Sequence, residues 1–188
     1  MTDSTVFTAV PLDKWQWSPS PLPGQVVLVT SRAADGTPDV APKSWVTIVG
    51  MTGPRIGFGC SWQHRTARNV RETGEFVINL PDQGLAEAAW RLPELADRWA
   101  LPEMATVPAV TVGVPALARC YVHIECRLDR IVEFEAEEVF IVGLIQRLEI
   151  DQAMLAPVDI PERYQVRQPF FFLEEGWAAP LGPARRVS

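Results

Sequence analysis

Between Pro54 and Thr73 stand Arg55, Arg65, Arg68 and Arg71 against one acidic residue, Glu72, so this segment carries +3. The chain around it is acidic, with 17 basic and 23 acidic residues and a net charge of -6. A local excess of cations in such a chain suits a compact anion. Three of the arginines flank the start of an expected helix, where unpaired backbone N–H groups and the helix dipole already favour negative charge. Ser61 and Thr66 add hydroxyl donors, and a guanidinium forms forked hydrogen bonds to phosphate. A phosphate monoester is the natural guest; a solvated helix face capped by Thr66 accounts for the same residues.

A second cluster, Ala41-Pro42-Lys43-Ser44-Trp45, interrupts a strand-like stretch. A proline and a lysine inside a strand point to an edge, a bulge or a bend. A bulge re-aims backbone N–H groups outward, where they can address the polar rim of an aromatic ring. Ordinary edge irregularity is the alternative. Other patterns carry less. Gly59-Cys60-Ser61-Trp62-Gln63 has the outline of a nucleophile elbow, but its last position requires glycine. His64 and His123 are the only histidines, neither with a companion at ligand spacing, so no metal is expected. His123 falls on the polar face of a strand and reads as a surface residue. Cys60, Cys120 and Cys126 form no CxxC pair and read as small buried hydrophobes of a cytoplasmic protein. No side chain stands out as a catalytic acid, base or nucleophile.

The elements that hold these clusters are mostly strands. Residues 1–24 read as an irregular arm, broken by Pro11, Pro19, Pro21 and Pro23 and packed through Trp15 and Trp17. Strands are expected over 25–31, 40–49 and 55–60. In the last of these Ile56, Phe58 and Cys60 share one face, while Gly57 and Gly59 leave the other bare for a chain segment or a flat ligand. A helix over 66–73 takes Thr66 as N-cap and Gly74 as its left-handed stop. A strand over 75–80 ends at Pro81, and helices are expected over 85–92 and 93–101. From Cys120 to Asp129 apolar and polar residues alternate, the mark of a strand with one buried face. Strands over 139–150 and 169–173 precede a Gly- and Pro-rich tail, 176–188.

Strands outnumber helices, and the helices cluster instead of alternating with strands. The expected fold is therefore mainly β with added helices, an antiparallel barrel in a single domain spanning 1–188. Neither GxGxxG nor a P-loop occurs. No apolar run approaches the roughly 18 residues of a membrane helix. Met1 to Val10 has neither the basic start nor the apolar core of a secretory leader. An acidic surface repels nucleic acid. Neither membrane nor nucleic acid is expected as a partner.

Several segments together resemble the flavin reductase-like FMN-binding split-barrel family, particularly its flavoredoxin-like branch. They are SPSPLPGQVVLVTS (18–31), DVAPKSWV (39–46), GPRIGFGC (53–60) and TARNVRETGEFVINLP (66–81), with weaker echoes at 125–134 and 139–151. The most specific run is Thr66, Asn69, Gly74-Glu75-Phe76, Asn79 and Pro81. The resemblance implies a six-stranded Greek-key split barrel, a homodimer, and FMN near the dimer interface. It places Ala41, Pro42, Lys43, Ser44 and Trp45 along the isoalloxazine, and Cys60, Ser61, Trp62, Arg65, Thr66 and Asn69 at the ribityl phosphate. The activity it implies is hydride transfer from NADH or NADPH to FMN, or else electron carriage with a redox protein partner. Two features depart from the family pattern. Its paired prolines before the third strand are Gly53-Pro54 here. The Gly-Asp-His associated with nicotinamide binding is replaced by Ala136, Glu137 and Glu138, and the glutamate after the strand glycine by Leu144.

Overall fold

The computed structural model describes residues 8–13, 16–50 and 52–187, so Trp15 lies outside the described residues. The chain runs through β1 (Gly24–Gln25), β2 (Val27–Arg32), β3 (Pro38–Lys43), β4 (Val46–Ile48) and β5 (Arg55–Ser61) into α1 (Arg65–Thr73) and β6 (Glu75–Leu80). Next come α2 (Ala86–Arg91), the short strands β7 (Thr106–Val107) and β8 (Ala116–Leu117), and the long hairpin of β9 (Val122–Glu133) and β10 (Glu138–Ile150). It ends with α3 (Gln152–Leu155), α4 (Ile160–Val166), β11 (Phe170–Phe172) and β12 (Ala178–Pro180).

One antiparallel sheet has the order β3-β2-β6-β9-β10-β5-β4. Its two edge strands are consecutive in sequence, separated only by Ser44 and Trp45. A sheet whose opposite edges are joined by two residues must curl until those edges meet. The result is a split β-barrel with its seam at Ser44 and Trp45. The single strand expected over 40–49 is accordingly two. Up to Lys43, opposite Val27, it pairs with β2. At Trp45 it changes partner, and the Gly59 N–H donates to the Trp45 carbonyl at 2.9 Å. Pro42 suits the edge position because it offers no N–H to a further strand.

Inside the curl Val29, Phe58, Phe76, Ile78 and Ile141 are fully buried, with Phe58 edge-on to Phe76 at 5.5 Å between centroids. Helix α1 packs Ala67 and Val70 into this core. Strand β2 is apolar on both faces because Val27 and Val29 enter the barrel core while Leu28 meets a second cluster with Leu85, Leu92 and Met104. That second layer differs from expectation. The helix over 85–92 starts as a 3-10 turn, Gln83–Leu85, and continues as α2. Over 93–101 there is no α-helix, only 3-10 turns at Leu92–Glu94 and Arg98–Ala100, followed by one at Pro102–Met104. Pro93 and Pro102 each sit at the start of a turn and withhold the N–H that would continue a helix.

Three further expectations are corrected. Helix α1 begins at Arg65 with His64 as its N-cap residue; Thr66 lies inside the first turn, fully buried, and donates to Asp39 at 3.4 Å. Gly74 does end the helix, at φ 71°. The polar face of β9 is not solvent-exposed where it begins: His123 Nε2 lies 2.8 Å from the Leu117 carbonyl, and Glu125 is 1% exposed. The Glu125 carboxylate accepts from the Val110 N–H at 2.9 Å and from the N–H and hydroxyl of Thr111. A loop with three donors to offer makes burial of that charge affordable. The C-terminal tail contains β12, which pairs with β11, and β11 pairs with β1. Glu174 holds the N-terminal arm through Ser18 Oγ at 3.2 Å and the Ser20 N–H at 3.0 Å.

Candidate functional site

The seam of the barrel opens into a cleft of about 540 Å³. Its floor comes from the end of β3 (Pro42, Lys43), the Ser44-Trp45 corner, the end of β5 (Gly59, Cys60, Ser61) and the entrance to α1 (Gln63, His64). One wall is the β9–β10 hairpin, through Phe134, Glu138 and Phe140; the other is the arm and β11, through Leu22 and Phe172. Trp45 is 49% exposed, Phe134 59% and Leu22 73%, so an apolar rim surrounds a polar floor. The glycines of β5 explain the shape. A Cβ at Gly59 would lie 2.9 Å from the Trp45 ring, and one at Gly57 would collide with the Phe140 ring. The bare strand face therefore receives the protein's own aromatics, which stand beside the cleft.

At the floor, His64 Nδ1 lies 3.4 Å from Lys43 Nζ and 3.7 Å from Cys60 Sγ. Burial, and then the cations Lys43, Arg98 and Arg68, push the His64 imidazole below its ordinary value, against a smaller opposing pull from Asp39. His64 is thus neutral at pH 7.

The sequence-derived site residues divide into two groups. Pro42, Lys43, Ser44, Trp45, Cys60 and Ser61 line the cleft. The thiol of Cys60 is consequently not buried, unlike those of Cys120 and Cys126. Ala41 is a core residue opposite Val29. In the rest of the arginine-rich group Thr66 and Asn69 are buried, while the three arginines stay exposed and bond within the protein. Arg65 Nη2 lies 3.2 Å from Asp39, Asn69 donates to Ser31 Oγ at 3.1 Å, and the Arg71 guanidinium sits 4.5 Å above the Trp62 ring. Arg68 reaches the Gln63 carbonyl at 3.3 Å. Arg55 belongs elsewhere: it pairs with Asp129 at 3.2 Å, and its place at the opposite end of β5 puts it roughly 20 Å from Ser61 at ~3.3 Å per residue.

Asp39 is the residue that sequence reasoning missed. Its side chain is 3% exposed and joins Arg65 to Arg98 (3.1 Å). Nothing in DVAPKSWV signals that two arginines from distant segments converge on its first residue. His64 was passed over with the rejected elbow pattern, and Phe134, Phe140 and Phe172 carry no local signal. A larger depression, about 680 Å³, opens near the start of β9. Most of its charges are consumed in pairs, with Arg167 lying 3.0 Å from Asp151 and 3.5 Å from Asp82 and Glu149 lying 2.7 Å from Arg147. Among the described residues it has no exposed aromatic rim, so the seam cleft is the stronger candidate.

A family model described as the flavin reductase like domain matches residues 20–166. The chain belongs to the flavin reductase-like family. A protein of Methanothermobacter thermautotrophicus is 30% identical over 146 residues, covering 74% of this chain and 68% of that one. Two solved structures share the flavin reductase-like split barrel. Nitrilotriacetate monooxygenase component B from Bacillus cereus superposes with a TM-score of 0.84 at 20% identity, covering 97% of this chain and all of that one. Flavoredoxin of Desulfovibrio vulgaris (Miyazaki F) gives 0.79 at 20% identity, with 96% and 97% covered. Family membership implies a flavin, and the seam cleft fits one. Its volume lies in the range of roughly 300–1,000 Å³ typical of cofactor sites, and its rim offers flat aromatic surface. Lys43 and Ser61 supply polar groups to the floor.

Proposed function

We propose that this protein binds FMN in the seam cleft and acts as an NAD(P)H:flavin oxidoreductase. The observation that carries the reading is the meeting of 42–45 and 60–64 at one cleft in a flavin reductase-like chain. A bound flavin supplies the hydride-accepting chemistry, so the protein needs no acid or base of its own there. Trp45 and Phe134 give the ring system apolar cover and exclude water. Lys43 places positive charge on the floor. Arg65 and Arg68, at the entrance to α1, are the cations nearest the helix N-terminus for the phosphate, with Ser61 beside them. Trp45 and Phe134 are exposed apolar residues at the cleft, and Ile48 is exposed on β4, which follows Trp45 in the chain. Their burial against a second copy supports a homodimer with the flavin at its interface. Three unpaired cysteines suit a cytoplasmic location.

Anaerobic NADH or NADPH added to FMN-loaded protein is expected to bleach the flavin absorbance, with NADH preferred because Glu137 and Glu138 repel an extra phosphate. Equal or greater efficiency with NADPH would remove those glutamates from the nicotinamide site. If FMN, FAD and riboflavin all leave the thermal midpoint unchanged, flavin binding itself is wrong, because a ligand that binds the native state must stabilise it. One observation favours a second reading, a non-enzymatic electron carrier. At the family's nicotinamide-associated triplet stand Ala136, Glu137 and Glu138, and Glu137 is held by Gln63 at 2.6 Å. A carrier bleaches with dithionite or a protein donor but not with either nicotinamide.

A further inference from the structure

His64 has two unusual features for a residue at a helix entrance. It occupies the N-cap position of α1, yet its side chain makes no capping bond. The ring turns instead to the cleft floor, where Nδ1 has Lys43 Nζ at 3.4 Å and Cys60 Sγ at 3.7 Å. An ammonium can only donate. Nδ1 must therefore be the acceptor, and the ring proton resides on Nε2. No other partner of the Lys43 ammonium is present among the described residues.

We propose that His64 is the positioning residue for Lys43, a neutral acceptor that fixes the ammonium at the cleft floor without cancelling its charge. The choice of partner matters physically. A carboxylate at the same place would hold the lysine equally well but would form a neutral pair, and the cleft would lose its cation. Of the acidic groups around the cleft, Asp39 is engaged with Arg65 and Arg98 and Glu137 with Gln63, while Glu138, in the cleft wall, forms no ion pair with Lys43 among the described residues. The groups facing His64 are Lys43 and Asp39 from β3, Cys60 from β5, Arg68 from α1 and Arg98. With Asp39 spent on two arginines, the net field keeps the ring neutral and able to accept. The lysine retains two further N–H donors for a ligand. A ligand that gains negative charge on reduction is held more tightly in its reduced form by such a cation. This consequence rests on the reading that a flavin occupies the cleft; the Lys43–His64 pair does not.

Two measurements test it. In the flavin-free protein, long-range ¹H–¹⁵N NMR of the two histidine rings, assigned with a His123→Gln variant, is expected to show His64 as the Nε2–H tautomer. In Lys43→Met that preference is expected to relax toward a mixture. A His64 ring protonated at Nδ1 would overturn the proposal whether or not flavin binds. In the FMN-loaded protein, Lys43→Met and His64→Leu are each expected to weaken the reduced form relative to the oxidised form about tenfold, a potential shift of about 30 mV for a two-electron couple. The double variant should shift no further than Lys43→Met alone, and His64→Asn, which keeps an acceptor oxygen, should restore most of the potential. Additive shifts, or an unchanged potential in His64→Leu, would show that His64 does not act through Lys43. Failure of the wild type to bind FMN would refute the flavin reading and leave the NMR result to decide the pair.

Discussion

Cys60 differs from the other two thiols because of where the barrel seam falls. Burial pushes Cys126 up to about 12, and Cys120 is raised further still, first by burial and then by Asp82. Both are inert core residues, whereas Cys60 faces the cleft. Native protein is therefore expected to react with one equivalent of a thiol reagent and unfolded protein with three. Saturating FMN should slow the single native reaction. More than one fast thiol in the native state would contradict the burial of Cys120 and Cys126. Arg65 makes the second prediction at this scale. It is 45% exposed at the guanidinium although Asp39 holds one of its nitrogens, so it can turn one edge toward a phosphate. Arg65→Ala is expected to weaken FMN about tenfold while barely affecting riboflavin, a ratio read by fluorescence titration. Equal losses for both ligands would place the phosphate elsewhere.

Among the elements, β5 does the most to shape the site. Its glycines at 57 and 59 alternate with buried Ile56 and Phe58, so the strand presents side chains to the core and bare backbone to Phe140 and Trp45. Gly57→Ala forces a methyl group into the Phe140 ring and close to the Ile141 carbonyl (3.2 Å). Overpacking of this kind typically costs about 1–3 kcal/mol, which urea unfolding would register. Gly59→Ala acts on Trp45 at the cleft rim instead. There the expected result is weaker FMN binding and altered tryptophan emission, with a smaller change in stability. The sequence showed the bare face of β5 plainly. Whether a ligand or the protein's own rings filled it depended on register: Gly57 lies opposite Val142 and Gly59 opposite Phe140. Alternation fixes which residues share a face of one strand, but it says nothing of what a second strand lays against them. For the same reason the alternation over 120–129 was legible as a strand, which the structure sets at Val122–Glu133, while the loop that buries Glu125 was not.

On the scale of the whole molecule, acid stability reports how the layers are tied together. Burial raises the Glu125 carboxyl, but the bonds from Thr111 and Val110 outweigh it and hold the group below 4.5. A depressed carboxyl contributes stability above its unfolded value and loses it as pH falls through the folded value. His64 acts in a higher window. Its folded value lies below 6.5, so as pH falls from about 6.5 the unfolded chain takes up a proton the native state refuses. Stability should therefore decline in two stages on acidification, the first beginning near pH 6.5 and removed by His64→Leu, the second below about pH 4.5 and made shallower by Glu125→Gln. Asp129, held low by Arg130 and Arg55, and Asp151, held low by the Ala153 N–H and Arg167, supply the rest of the second stage. Chemical denaturation across pH 3–8 would resolve them. A profile unchanged by either substitution would assign acid sensitivity elsewhere.

Local sequence determined the strand-rich composition, the two chemically biased clusters at 41–45 and 60–69, and the Gly74 stop of α1. Each depends on properties carried by neighbouring residues: period-two alternation, the missing N–H of proline, and glycine's freedom at positive φ. Tertiary structure decided that residues 40–49 divide between the two edges of one sheet. It also turned Thr66 and Asn69 inward toward Asp39 and Ser31, and set His64 beside Lys43. Those outcomes follow from barrel closure, which brings together groups 20 or more positions apart, and no pattern within a single segment encodes the distance between two of them.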